Sequence, residues 1–206
     1  ISKTTEEISV TKESEWKPSR REALQLGGVV AVGGAMALTM APLKKATPNL
    51  LRPPGAGTDA EFLAQCIRCG QCIEVCPEKA LIAGTARHGL SLGTPYFIPR
   101  EIPCTLCMDC PEVCPTGALK PLLMEEVRIG VAVIDEDLCY AYQGDACRSC
   151  WNNCPLYDEA LYMKDFQYPV VVEEKCTGCG LCEYACVAVT GDSAIKIIPL
   201  KEKLIN

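Results

Sequence analysis

The sequence predicts an α+β fold: two small cysteine-scaffolded units, one inserted within the other, behind a single membrane-spanning helix. Three observations predict it. Sixteen of the 206 residues are cysteine, and all of them fall into four compact groups. There are only three Phe and two Trp, so a core built on apolar burial alone would be thin and metal or covalent scaffolding has to share the load. Ahead of the first cysteine runs an uncharged stretch of 21 residues, 23–43.

The first group is "CIRCGQCIEVCP", with Cys66, Cys69, Cys72 and Cys76 before Pro77. The second, "CTLCMDCPEVCP", places Cys104, Cys107, Cys110 and Cys114 before Pro115. In the third, Cys139, Cys147, Cys150 and Cys154 precede Pro155, and the first gap is stretched from two residues to seven. The fourth, "CTGCGLCEYAC", carries Cys176, Cys179, Cys182 and Cys186, with Val187 where the others have proline. No cysteine is left over.

This is the C-x₂-C-x₂-C-x₃-C-P run of bacterial ferredoxins, which binds [4Fe–4S] clusters. The spacing suits the chemistry. Three cysteines wrap a loop around a cubane and turn backbone N–H groups toward its sulfides, helped by glycines such as Gly70, Gly178 and Gly180. The fourth cysteine is expected to start a helix that carries its thiolate to a different cluster, and proline at the next position supports a helix start. The units are therefore read as bacterial-ferredoxin-like, each with two [4Fe–4S] clusters, four clusters in all. Structural zinc prefers two C-x₂-C pairs a dozen or more residues apart, and tight triplets make poor disulfide partners. The single histidine, His88, excludes a Rieske centre and a Cys₂His₂ zinc site, and no C-x-x-C-H for c-type haem occurs. His88 itself reads as a solvated loop residue in "TARHGLSLG".

Each cluster should take its fourth ligand from a partner group. The segment "TGALKPLLMEEVRIGVAVIDEDLC" between the second and third groups reads as a helical turn and apolar strands, the interior of one two-cluster unit. That makes 104–154 an inner unit, inserted into an outer unit formed by 61–103 and 155–206. Nesting of this kind rests partly on similarity to other four-cluster subunits. It predicts the sets Cys66, Cys69, Cys72 with Cys186; Cys176, Cys179, Cys182 with Cys76; Cys104, Cys107, Cys110 with Cys154; and Cys139, Cys147, Cys150 with Cys114. Sequential pairing, first with second and third with fourth, is the alternative.

Before the clusters, residues 1–22 form a cytoplasmic segment. Its Arg20-Arg21 pair, followed by the apolar run, resembles a twin-arginine export signal. At about 1.5 Å per residue, 23–43 spans about 31 Å as a helix, enough for a bilayer core. "AMA" at 35–37 resembles a signal-peptidase site, yet we expect the segment to be retained as a single-pass anchor in the cytoplasmic membrane, with the cluster domain on the periplasmic face. Export in the folded state suits a protein whose clusters are assembled in the cytosol. Gly27, Ala31 and Ala35 form a small-residue stripe that would let another transmembrane helix approach. Residues 44–60 read as a Pro/Gly linker, extended and separating anchor from clusters. The net charge of −6, with no long basic run, excludes nucleic acid as a natural partner. No nucleotide fingerprint, phosphate loop or catalytic triad occurs, so the chain is not expected to be an enzyme.

"LRPPGA" at 51–56, "CIRCGQC" at 66–72, "GLSLGTPYFIPREIPC" at 89–104, "RIGVAVIDEDLC" at 128–139, "YQG" at 142–144 and "CTGCGLCEYAC" at 176–186 resemble the ferredoxin-type NapG/MauM family. The resemblance implies a four-cluster, twin-arginine-exported electron carrier at the periplasmic face. It also implies its partners: a polytopic membrane quinol-oxidising subunit on one side, and a periplasmic reductase, dehydrogenase or c-type cytochrome on the other. The implied pathways are quinol oxidation feeding periplasmic nitrate reduction, or methylamine utilisation. A role as an assembly or maturation factor for a periplasmic redox enzyme is the alternative.

Overall fold

The computed structural model describes residue 19 and residues 50–200. The twin-arginine pair, the predicted membrane span 23–43 with its small-residue stripe, and the last six residues lie outside the described residues. Among the described residues, no helix is long and apolar enough to cross a membrane.

Short helices follow the cysteine loops. After α1 (Asp59–Gln65), which leads into the first group, come α2 (Gln71–Val75), α3 (Asp109–Glu112), α4 (Ser149–Asn152) and α5 (Leu181–Thr190). In α2 to α5 the second residue is the third cysteine of its group. The expectation that the fourth cysteine starts a helix is thus corrected: the helix begins at the third cysteine and the fourth lies about one turn on. The proline that follows stops the helix rather than starting it, because it disfavours helical backbone at the residue before it and carries no N–H. Only the fourth group lacks that proline, and its helix alone runs on through Cys186, for 10 residues against 4 or 5.

Among the described residues, three two-stranded antiparallel sheets complete the fold. β1 (Ile82–Ala83) pairs with β2 (Pro95–Tyr96), and β4 (Leu161–Lys164) with β5 (Tyr168–Val171). β3 (Gly130–Ile134) pairs with β6 (Ile195–Pro199), from Gly130↔Pro199 to Ile134↔Ile195. β6 alternates as its sequence predicts, with Ile195 and Ile197 inward and Lys196 and Ile198 outward.

This topology overturns the nested arrangement. β3 precedes the third group and β6 follows the fourth, so one sheet frames groups three and four. An antiparallel bridge between Ala56 and Leu119 frames groups one and two in the same way. Each half contains a hairpin between its two groups, β1–β2 in the first and β4–β5 in the second. The halves are consecutive, and the segment taken for the interior of an inner unit is the junction between them. One apolar core serves both, drawing Phe62, Leu81 and Leu119 from the first half and Ala132, Leu161 and Ile197 from the second.

The linker reading also changes. Residues 50–53 carry no helix, a turn follows at Pro54–Gly55 with the Ala56 N–H donating to the Pro53 carbonyl at 3.3 Å, and Leu51, Arg52, Pro53 and Pro54 are buried, with Leu51 bridged to Phe97. Arg52 is the fastener. Its guanidinium donates to Asp59 Oδ1 (2.7 Å), Ser91 Oγ (2.8 Å), Thr94 Oγ1 (2.9 Å) and the carbonyl of Pro95 (3.2 Å), and it lies 5.1 Å over the Phe62 ring. Five donors in a planar fork match this set and a lysine ammonium does not. Arg52→Lys is therefore expected to cost about 2–4 kcal/mol, because it leaves buried hydroxyl and carbonyl acceptors unpaired around a charge. Urea unfolding followed by cluster absorbance checks this, and a cost under about 1 kcal/mol would refute the fastening role.

Candidate iron–sulfur centres

Around the second cysteine of three groups the backbone visits the left-handed region twice: Arg68 and Gly70, Leu106 and Met108, Gly178 and Gly180. L-residues at φ of 58° to 65° (Arg68, Leu106, Met108) carry a conformational cost, which persists only where the loop is over-determined by what it surrounds. Such alternation turns successive N–H groups into one concavity, suited to an anionic centre. The third group, with its stretched first gap, has no positive φ beside Cys147 and uses Gly144 earlier instead.

The structure gathers the sixteen cysteines into four hollows, four cysteines in each. The first hollow is lined by Cys66, Cys69, Cys72 and Cys114. Cys76, Cys104, Cys107 and Cys110 line the second. The third takes Cys139, Cys147, Cys150 and Cys186, and the fourth Cys154, Cys176, Cys179 and Cys182. They are nearly equal in size, with about 360, 380, 380 and 360 Å³ of space in order, part of it open to solvent. The remaining lining is largely apolar, for example Leu81 and Phe97 at the second hollow and Leu161 and Ile197 at the fourth.

Every triplet stays together as the spacing predicts, but all four fourth-cysteine assignments of the nested scheme fail. Cys186 joins the third triplet, Cys76 the second, Cys154 the fourth and Cys114 the first. The exchange is reciprocal within each half. α2 gives Cys72 to the first hollow while its capping residue Cys76 serves the second, and Cys110 in α3 serves the second while Cys114 returns to the first. Cys150 and Cys182, on α4 and α5, pair with Cys186 and Cys154 in the same crossed fashion. The physical reason is the strand closure described above: a fourth cysteine can reach only the group folded against its own helix.

All sixteen cysteines are free of disulfides. Burial dominates the chemistry of several of them. It pushes the Cys72 and Cys154 thiols up to about 11 and those of Cys104 and Cys150 up to about 12, and neighbouring thiolates add to the rise. Cys110, Cys179 and Cys182 are raised by the same causes. Cys114 goes the other way: burial raises it, but the Leu119 N–H at 3.4 Å, the Thr116 hydroxyl and nearby amides outweigh that. Four thiols gathered around one hollow, some of them buried, cannot all ionise at little cost unless something cationic fills the space, and a metal centre does so by replacing the protons.

Among the described residues, no group of three or more His, Cys, Asp or Glu is placed to hold a metal ion. Tetrahedral zinc at about 2.3 Å from each sulfur would draw the thiolates to roughly 4 Å of one another. A polynuclear cluster binds each thiolate to a different iron and leaves the ligands spread around a hollow. The donor set, four thiols around each hollow, fits a [4Fe–4S] cluster. His88 takes no part: its Nδ1 accepts from the Thr85 N–H at 2.9 Å and its ring packs 4.9 Å from Tyr96.

Comparison with known proteins agrees with this grouping. A 4Fe–4S dicluster domain model matches residues 65–118, covering the first and second groups together, and a 4Fe–4S binding domain model matches 169–186. The chain is similar to the ferredoxin-type protein NapG of Escherichia coli, 41% identical over 189 residues, which is 84% of this chain and 80% of that protein. It is similar to the methylamine utilization ferredoxin-type protein MauM of Methylophilus methylotrophus, 38% identical over 97% of this chain and 92% of that one. MauM of Methylorubrum extorquens is 39% identical over 88% of this chain and 90% of its own length.

Proposed function

Because the chain belongs to the family of ferredoxin-type proteins NapG and MauM, we propose that its sixteen cysteines hold four [4Fe–4S] clusters that relay electrons between two redox partners. The family and the 4Fe–4S domains make it an iron–sulfur electron-transfer protein. The observation that carries the count is the division of the cysteines into four hollows of like size with four thiols each. When bound, such clusters supply one-electron redox chemistry. The chain's own contribution is to supply thiolates at fixed positions, to aim loop N–H groups at the cluster sulfides, and to keep water from the buried ligands.

The finer reading adds location and partners. The twin-arginine motif and the apolar run 23–43 support export in the folded state and a retained membrane anchor, with the clusters on the periplasmic side. On that reading the donor is a quinol-oxidising membrane subunit and the acceptor a periplasmic redox enzyme or c-type cytochrome.

Anaerobically purified protein is expected to contain about 16 iron atoms and as much acid-labile sulfide, four for each of four Cys₄ sites. Iron near half that value, or stoichiometric zinc, would overturn the four-cluster reading. Arg20→Lys with Arg21→Lys is expected to leave metallated protein in the cytoplasm, since lysine cannot reproduce the guanidinium pair. Normal periplasmic delivery of that variant in cell fractionation would remove the export reading.

A further inference from the structure

The four sites are not equally close to one another, and the contacts between them define an order. Within each half the crossed helices hold the two sites side by side. In the first half Cys72 and Cys76 lie four residues apart at one helix and serve different sites, and so do Cys150 and Cys154 in the second. Between the halves one backbone hydrogen bond joins two cluster ligands directly: the Cys104 N–H donates to the carbonyl oxygen of Cys179 at 2.9 Å. Cys104 belongs to the second site and Cys179 to the fourth. These are the loops where the halves meet, and Cys179 and Cys182 of the fourth site are 6% and 7% exposed.

We infer that the clusters form a single file in the order first, second, fourth, third, with the Cys104–Cys179 hydrogen bond as the junction between the halves. The order departs from the order in the sequence: the fourth site is internal and the third is terminal. It rests on the cluster reading above. Each hop moves one electron from a reduced cluster to its oxidised neighbour and breaks no bond. The electron enters from an external reductant and leaves to an external oxidant. The path across the junction runs from one thiolate through Cys104 Cβ, Cα and N–H, across the hydrogen bond to the Cys179 carbonyl, and out through Cys179 Cα and Cβ to its own thiolate. Cys107 of the second site reaches the surface as Cys69 of the first does, so the order rests on the junction and not on exposure.

Two variants separate this order from every other way of joining the halves. Cys69→Ser disables the first site and Cys176→Ser the fourth. Iron analysis fixes how many clusters each variant retains, with about 12 irons expected after loss of one cluster. Low-temperature EPR of the dithionite-reduced proteins then reads spin coupling and power saturation. With the fourth site gone, the third loses its only neighbour and is expected to give an uncoupled, easily saturated signal. With the first site gone, every remaining cluster keeps a neighbour and no such signal arises. A junction through the first site would isolate the second in Cys69→Ser; a junction through the third would keep it coupled in Cys176→Ser. Either result overturns the order. If Cys176→Ser does not fold, Cys154→Ser attacks the same site from just beyond α4. Wild-type protein with far fewer than about 16 irons would overturn the cluster reading instead.

Discussion

Cys76→Ala is expected to damage the second cluster, not the first, although Cys76 stands in the first sequence group. The remaining ligands of that cluster are Cys104, Cys107 and Cys110, the nearest of them 28 positions downstream. Conversely, Cys114→Ala strikes the cluster of Cys66, Cys69 and Cys72. Iron content in double variants makes the assignment without spectral deconvolution. Two lesions in one site destroy one cluster, so Cys76→Ala with Cys107→Ala should retain about 12 irons, whereas Cys76→Ala with Cys69→Ala strikes two sites and should fall to about 8. Under the nested scheme Cys76 and Cys107 would belong to different clusters, and the first double variant would fall to about 8 as well. That outcome would refute the pairing described here.

The contrast locates what could be read in the chain. Three of the triplets were legible because three cysteines within seven residues must share one centre, and the third, stretched over twelve residues, by its likeness to them. The fourth ligand was not, because its destination depends on which strands close a unit. The apolar alternation of residues 127–134 fits an interior strand of a nested unit as well as it fits the opening strand of a second one. Only the pairing of β3 with β6, about sixty residues apart, decides between them. The sequence did hold a signal for the closure: "SAIKIIP" after the fourth group alternates as a strand and needs a partner, and "GVAVI" is the complementary run. Proline was misread for a related reason. The residue type marks a helix boundary, but whether it opens or ends the helix depends on which side the helix lies.

The docking of residues 50–54 was hidden in another way. "LRPPG" has the composition of a linker, but its backbone turns at Pro54–Gly55 rather than running extended throughout. What composition cannot reveal is the set of acceptors waiting for Arg52: Ser91, Thr94 and Pro95 lie some forty residues on. The left-handed loop positions were half legible. Glycines at 70, 178 and 180 signal them, while Arg68, Leu106 and Met108 adopt the same conformation against their own preference.

Gly178→Ala is expected to be the most damaging single-methyl change in the cysteine loops. Gly178 has φ of +74°, which costs an L-residue about 1 kcal/mol relative to glycine. A second cost comes from position. A Cβ there would sit well inside van der Waals contact of the Gly130 backbone, where β3 begins its pairing with β6. Neither side can yield easily, because the Ile129 N–H donates to the Thr177 carbonyl at 2.9 Å and pins the loop to that strand. Overpacking against fixed backbone costs typically about 1–3 kcal/mol, so the total reaches about 2–4 kcal/mol, a large share of the stability of a domain this size. Gly70→Ala is the internal control: φ is +79°, equally left-handed, but nothing lies within 4 Å of the added carbon. It should cost only the conformational part, about 1 kcal/mol. Urea titration of the two variants, followed by cluster absorbance, reads the difference, and iron analysis of Gly178→Ala should show the fourth cluster, held by Cys176, Cys179 and Cys182, lost first. Equal destabilisation by the two substitutions would mean that the loop does not rest on β3, and with it would fall the closure of the second half that places Cys154 and Cys186 where they are.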